Sequence, residues 1–238
     1  MIICIADVLT PEALKDIRSH LDAASFVDGK TTAGWHARLV KNNQQVKSET
    51  PALAKVRSLI ETALQQQSVF QMAALPRSIA PVLLSRYESG MSYGSHVDNA
   101  YINLSGNISG NIFGNRTGNE TAAMRSDLSM TLFLNDPEAY EGGELIIESC
   151  HAEQAFKLAA GSLVLYPSTT LHRVETVTAG VRLAAVTWIQ SLVRDAAERE
   201  ILFDLDMARQ GIFAEFGKTA AFDLLSKSYA NLLRKWGT

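Results

Sequence analysis

Between Ile79 and Ser191 the chain is broken into short β-rich runs by Gly, Pro, Asp and Asn, and this punctuation limits the fold more than any other feature. The runs are Ile79 to Tyr87, Leu128 to Leu134, Leu145 to Glu148, Ser162 to Tyr166, His172 to Val177 and Val181 to Ser191. Branched and aromatic residues at this spacing predict antiparallel strands in a sandwich or jelly roll. The last run is apolar on both faces apart from Arg182 and Thr187, as expected of a strand covered on both sides. Gly142-Gly143 and Ala179-Gly180 read as tight turns.

Helices flank this region. Thr10-Pro11-Glu12 supplies an N-cap, a first-turn proline and an early acid ahead of Leu14, Ile17 and Leu21. Thr50-Pro51 repeats the device ahead of Leu53, Val56, Ile60 and Leu64, predicting a helix to about Gln67. After Ser191 helical spacing returns at Ile201, Leu205 and Ala208, then at Phe222, Leu225, Tyr229 and Leu232. The expected organisation is a helical and mixed support region over 1–78, a β core over 79–191 and a helical extension over 192–238. The C-terminal stripes are expected to pack on the core, with a homodimer through them as the second possibility. Asn103, Asn107, Asn111, Asn115 and Asn119 recur every fourth residue with glycines in step, so 103–120 reads as a long, mobile loop.

A chain of 238 residues, 47% apolar and 20% charged, can bury a sizeable core without staples. Its net charge of −3, with no Lys/Arg run, gives no attraction to phosphate backbones, so no nucleic-acid partner is expected. No stretch of 18 apolar residues occurs, and the short apolar N-terminus meets Asp7 early, so neither a membrane span nor an export signal is expected. Cys4 and Cys150 read as reduced thiols of a cytoplasmic protein.

His96 and Asp98 stand two apart, so in extended chain their side chains leave one face and can converge on a metal ion. With only 5 His in the chain, chance supplies such a pair in roughly one sequence of this kind in four, so the pair alone proves little. His172, just after the run ending Tyr166-Pro167, brings a second imidazole. Two imidazoles and one carboxylate on one face of an octahedral ion leave open positions, an arrangement suited to non-haem iron(II). Arg182 follows ten residues later in an otherwise apolar strand, where a guanidinium is costly unless paired. A small dicarboxylate would pair it bidentately; a core carboxylate such as Glu175 is the alternative. His20, His36 and His151 read as ordinary structural histidines, and Tyr87 and Tyr93 as either core aromatics or site residues.

The run Arg86-Tyr87-Glu88-Ser89-Gly90-Met91-Ser92-Tyr93-Gly94-Ser95-His96-Val97-Asp98, the strand Leu128 to Asn135, Gly142-Gly143-Glu144-Leu145, and Leu165-Tyr166-Pro167 through His172 to Arg182 resemble the iron/2-oxoglutarate prolyl-hydroxylase superfamily. Within it the chain resembles the bacterial PKHD-type hydroxylases, from the Lys41-Asn42-Asn43-Gln44-Gln45 segment to the C-terminal helices. The resemblance implies a double-stranded β-helix core, iron(II) on His96, Asp98 and His172, and 2-oxoglutarate on Arg182 with a hydrogen bond from Tyr87. It implies dioxygen as the other co-substrate, ascorbate as in similar enzymes, and hydroxylation of a C–H bond with release of succinate and CO2. A carboxylate at Asp98 leaves no vacancy for halide, which favours hydroxylation over halogenation. Phe133 stands where the oxygen-sensing prolyl hydroxylases carry a tyrosine that binds the co-substrate, so that donor is missing. The residues do not choose between a protein side chain and a small metabolite as substrate. Two other functions compete: a non-catalytic iron/2-oxoglutarate sensor, and a cupin-like metal enzyme indifferent to 2-oxoglutarate.

Overall fold

Strict alternation along Leu128–Phe133 sets the layers of the molecule. Leu128, Met130 and Leu132 pack outward with Leu163, Leu165, Leu84 and Ile189, whereas Phe133 turns inward with Val164, Tyr166 and Tyr87. The computed structural model describes residues 1–47, 50–103, 123–149 and 152–238. Cys150, His151 and all of the asparagine/glycine repeat beyond Asn103 lie outside these residues, and with them the loop expected at 103–120.

The larger sheet is antiparallel and runs Ile3–Ile5, Leu163–Pro167, Leu128–Phe133, Arg182–Ser191, Leu83–Tyr87, Gln44–Val46, Phe26–Asp28, with Pro76–Ile79 also pairing with Arg182–Ser191. Facing it, the smaller sheet runs Glu153–Phe156, Leu145–Glu148, His172–Val174, Ser92–His96, Lys41–Asn42. Two sheets with an apolar layer between them make the jelly-roll sandwich that the punctuation predicts. The helices Pro11–Asp22 and Pro51–Gln66 cover the outer face of the larger sheet, burying Ile17, Leu21, Val56, Ile60 and Leu64. Each starts as expected: Thr10 Oγ1 accepts the Ala13 N–H and Thr50 Oγ1 the Leu53 N–H, both at 3.2 Å.

Several details differ from the sequence reading. Ile79 to Tyr87 is not one strand but two, Pro76–Ile79 and Leu83–Tyr87, interrupted at Pro81, which has no N–H for a ladder. The run from His172 divides into His172–Val174 and Val177–Gly180. Ala179-Gly180 is therefore not a tight turn but the end of a strand paired with Tyr140–Gly142. The first 78 residues supply strands to both sheets, in pieces of two to four residues too short to show a period.

At the C-terminus the helices Ala196–Phe216 and Ala220–Trp236 form an antiparallel pair. The stripe expected at Ile201, Leu205 and Ala208 is rotated: Leu202 is fully buried with Leu75 and Val193, while Ile201 is 47% exposed. The first of these helices carries apolar residues on more than one side, so periodicity alone could not choose the buried face. In the second helix Tyr229 and Leu232 do join the contact, with Leu233 and Trp236. Among the described residues no helix is long and apolar enough to cross a membrane.

Candidate functional site

The smaller sheet brings the two expected imidazoles together by strand register, since His172 and His96 are direct cross-strand partners. Their ring centroids lie 4.3 Å apart. Asp98 follows two residues after the end of its strand, and one ligand atom from each of His96, Asp98 and His172 lies within 4.8 Å of the others. Among the described residues this is the only such group of potential metal ligands.

Backbone carbonyls orient both rings. His96 Nδ1 lies 2.8 Å from Gly94 O and His172 Nδ1 lies 3.2 Å from Thr170 O. A neutral imidazole that donates from Nδ1 to a carbonyl keeps its lone pair on Nε2, the atom left to coordinate. Burial, then the neighbouring His172, draws the His96 pKa down to about 4, so that ring stays neutral near pH 7. The carboxylate is held from the opposite sheet: Ser129 Oγ donates to Asp98 Oδ2 at 2.6 Å and lies 2.8 Å from Ser168 Oγ. Donor set, carbonyl-held rings and oriented carboxylate fit a divalent ion with open positions. Ser129→Ala is expected to weaken metal binding about 10- to 100-fold while preserving the fold. Competition against a metal-sensitive dye would measure the change, and an unaltered affinity would show that the serine does not orient the carboxylate.

Arg182 lies at the start of the strand Arg182–Ser191, opposite Tyr87 in register. It is 1% exposed, its Nε has no hydrogen-bond partner, and among the described residues it makes no ion pair. Its guanidinium carbon sits 5.1 Å from the Tyr87 ring centre and 5.5 Å from that of Phe133. The alternative partner is taken, because Glu175 Oε1 accepts from Arg173 Nε at 2.7 Å. Gly143 makes room for the arginine: at φ +68°, a Cβ there would lie 3.1 Å from Arg182 Cδ and 2.9 Å from Val177 Cγ2. Gly142-Gly143 is thus more than a turn, since its second residue forms part of the cradle for the buried cation.

One cavity is lined by His96, Asp98, His172, Arg182 and Tyr87 together, so every site residue expected from the sequence meets there. Burial raises the pKa of the Tyr87 phenol, although Arg182 opposes the shift, and the group remains a neutral donor. The sequence reading missed Ser129, Tyr140, Lys41, Asn43 and Gln45. The Tyr140 hydroxyl is buried beside the Arg182 guanidinium, and its ring borders Gly143 together with Arg182. Lys41, Asn43 and Gln45, all at most 5% exposed, line the same cavity. Their i, i+2, i+4 spacing is the one signal that could have identified them.

Residues 82–190 match the family model of the 2OG-Fe(II) oxygenase superfamily, which sets the class. Residues 196–237 match the PKHD-type hydroxylase C-terminal domain. The chain is 52% identical over 237 residues to a PKHD-type hydroxylase of Rippkaea orientalis, covering 100% of both chains. It is 54% identical over 236 residues to one of Gloeothece citriformis, covering 99% of each. The chain belongs to the PKHD-type hydroxylases, whose superfamily uses iron(II) and 2-oxoglutarate. Two solved structures share its fold. A Trichoplax adhaerens prolyl hydroxylase in complex with a hypoxia inducible factor peptide gives a TM-score of 0.52 at 14% identity, covering 84% of this chain and 86% of that one. A Pseudomonas putida prolyl-4-hydroxylase gives 0.50 at 17% identity, covering 80% and 92%.

Proposed function

We propose that the protein is an iron(II)- and 2-oxoglutarate-dependent hydroxylase, with His96, Asp98 and His172 as metal ligands and Arg182 and Tyr87 as the co-substrate's anchors. The observation that carries this reading is Arg182, a buried guanidinium without a counter-ion in the same cavity as the ligand triad. When bound, iron(II) with 2-oxoglutarate and dioxygen supplies the oxidation of a C–H bond, with loss of succinate and CO2. The chain's own residues bind and orient. Gly94 O and Thr170 O orient the imidazole rings, Ser129 aims the carboxylate, and Arg182 would receive the distal carboxylate of 2-oxoglutarate. The apolar layer of Phe133, Tyr166 and Val174 around these groups excludes water from the reacting centre. No further general acid or base is assigned.

Succinate formation measured with and without iron(II) and dioxygen tests the activity, first unprimed and then with cell extracts, peptides and metabolites. The hydroxylase reading expects succinate that depends on both and rises with a productive extract. A non-catalytic sensor would bind 2-oxoglutarate and release none.

The C-terminal helices support a homodimer within the same reading. Phe213, Phe216 and Leu224, near the turn between the two helices, leave between 51% and 63% of their surface exposed, apolar side chains that a second copy would cover. Light scattering behind size exclusion is expected to report twice the 26.0 kDa chain mass, with Phe216→Glu returning the monomer. A strictly monomeric native chain would remove the dimer.

A further inference from the structure

Besides the groups assigned above, the cavity holds a second cation, Lys41. Its side chain is 5% exposed and lines the cavity with the ligand triad and Arg182. Among the described residues it makes no ion pair; its contacts are a hydrogen bond from Nζ to Thr32 Oγ1 at 2.9 Å and the Tyr93 ring, 5.1 Å away at its centre. These neighbours are themselves held. Thr32 Oγ1 donates to Gln45 Oε1 at 2.5 Å, Gln45 Nε2 donates to Ser85 Oγ at 3.3 Å, and Tyr93 stacks on His96 at 3.6 Å. Asn43, two residues along and 4% exposed, has no hydrogen bond of good geometry from either amide atom, and it neighbours the Tyr87 hydroxyl. The sequence thus places an ammonium and an amide at i and i+2, both buried on the wall of the reaction cavity, the ammonium with donors to spare and the amide beside the Tyr87 hydroxyl.

The charges of the loaded site, on the reading proposed above, leave this lysine unbalanced. The two positive charges of the ion and the one on Arg182 are matched by Asp98 and the two carboxylates of 2-oxoglutarate. Asp98 and Asp28 oppose the effect of burial on Lys41 from a distance, yet burial prevails and draws its pKa to about 8. A buried ammonium with free hydrogen-bonding capacity beside a buried amide favours a small anion that accepts from the ammonium and can reach the amide N–H. Both carboxylates of the co-substrate already have partners, so the anion must come from another molecule.

We propose that Lys41 and Asn43 form a subsite for a carboxylate of the molecule to be hydroxylated, so that the substrate class is a carboxylate-bearing compound. The inference rests on the iron and 2-oxoglutarate assignment, and its test separates the two. The chain is loaded with iron(II) and 2-oxoglutarate under argon and titrated by calorimetry with N-acetyl amino acids and their matched carboxamides. At least one acid is expected to bind, with its amide weaker by about 10- to 100-fold, the loss of a charged hydrogen bond. Lys41→Met is expected to erase that difference while 2-oxoglutarate binds as before, and Lys41→Arg to retain part of it. Unaltered 2-oxoglutarate binding shows that the methionine variant is folded; Lys41→Gln serves if it is not. Equal binding of acid and amide, no binding of any acid, or discrimination that survives Lys41→Met would overturn the subsite. Weakened binding of 2-oxoglutarate itself in Lys41→Met would also overturn it, by assigning the lysine to the co-substrate. Failure of the native chain to bind 2-oxoglutarate would instead strike the site assignment beneath it.

Discussion

Arg182→Met is expected to lower 2-oxoglutarate affinity by about 30- to 5000-fold, the range for removing one partner of a buried, hydrogen-bonded charge pair. The direction follows from burial. At 1% exposure, with Nε unpartnered and no ion pair among the described residues, the guanidinium has the neutral Tyr140 hydroxyl beside it but no counter-charge, and Tyr87 and Phe133 give it an aromatic floor. The same substitution should leave the ligand-free protein equally stable or more so, because an uncompensated buried charge costs several kcal/mol and methionine fills similar space without it. The two effects have opposite signs. Thermal unfolding of native and variant chains, with and without saturating 2-oxoglutarate, reads both. The native chain should gain melting temperature with the ligand, and the variant should not. Arg182→Lys should recover only part of the affinity, since an ammonium cannot make the planar two-point contact. An unchanged dissociation constant in Arg182→Met would remove 2-oxoglutarate from this end of the cavity.

His172→Ala is the second large effect. Loss of an outer partner already costs about 10- to 100-fold in metal affinity, so loss of a ligand should cost about 100-fold or more. Succinate formation should then fall to the background of metal-free protein. His172 is the position to choose because its register pairing with His96 carries the geometry of the centre, while its removal leaves the ladder between the two strands in place. Circular dichroism should therefore be native. Iron binding measured at equilibrium separates the cases: tight binding by a folded His172→Ala protein would exclude the histidine as a ligand.

The site was legible where rare residue types stood in apolar surroundings, and illegible where polar residues stood among other polar residues. Arg182 stood out because its strand is otherwise nearly all apolar, and it shares a cavity with His172 although the intervening segment divides into two strands. The antiparallel core was readable from its punctuation, with Leu145–Glu148 at the bounds expected. The N-terminal strands were not readable. Ile3–Ile5 and Lys41–Asn42 owe their conformation to Leu163–Pro167 and Ser92–His96, distant partners that no local pattern announces. Lys41, Asn43 and Gln45 resembled surface amides and a surface amine, yet they line the cavity at alternate positions. Ser129 was hidden in the same way: it is one of two small polar residues, with Thr131, on the inward face of a strand whose outward face is Leu, Met and Leu. Helix starts were fixed by local caps and read correctly, whereas the buried face of Ala196–Phe216 depended on packing against Leu75 and Val193 and did not.

Anaerobic addition of iron(II) and 2-oxoglutarate tests the central assignment most directly, because chelation by the keto acid at a centre with open positions produces a visible charge-transfer absorption. A band is expected that requires both components, saturates at one equivalent of each, and is lost in His172→Ala while the fold remains. A folded native chain that gives no band when both are present, or a band that persists without His172, would contradict the assignment.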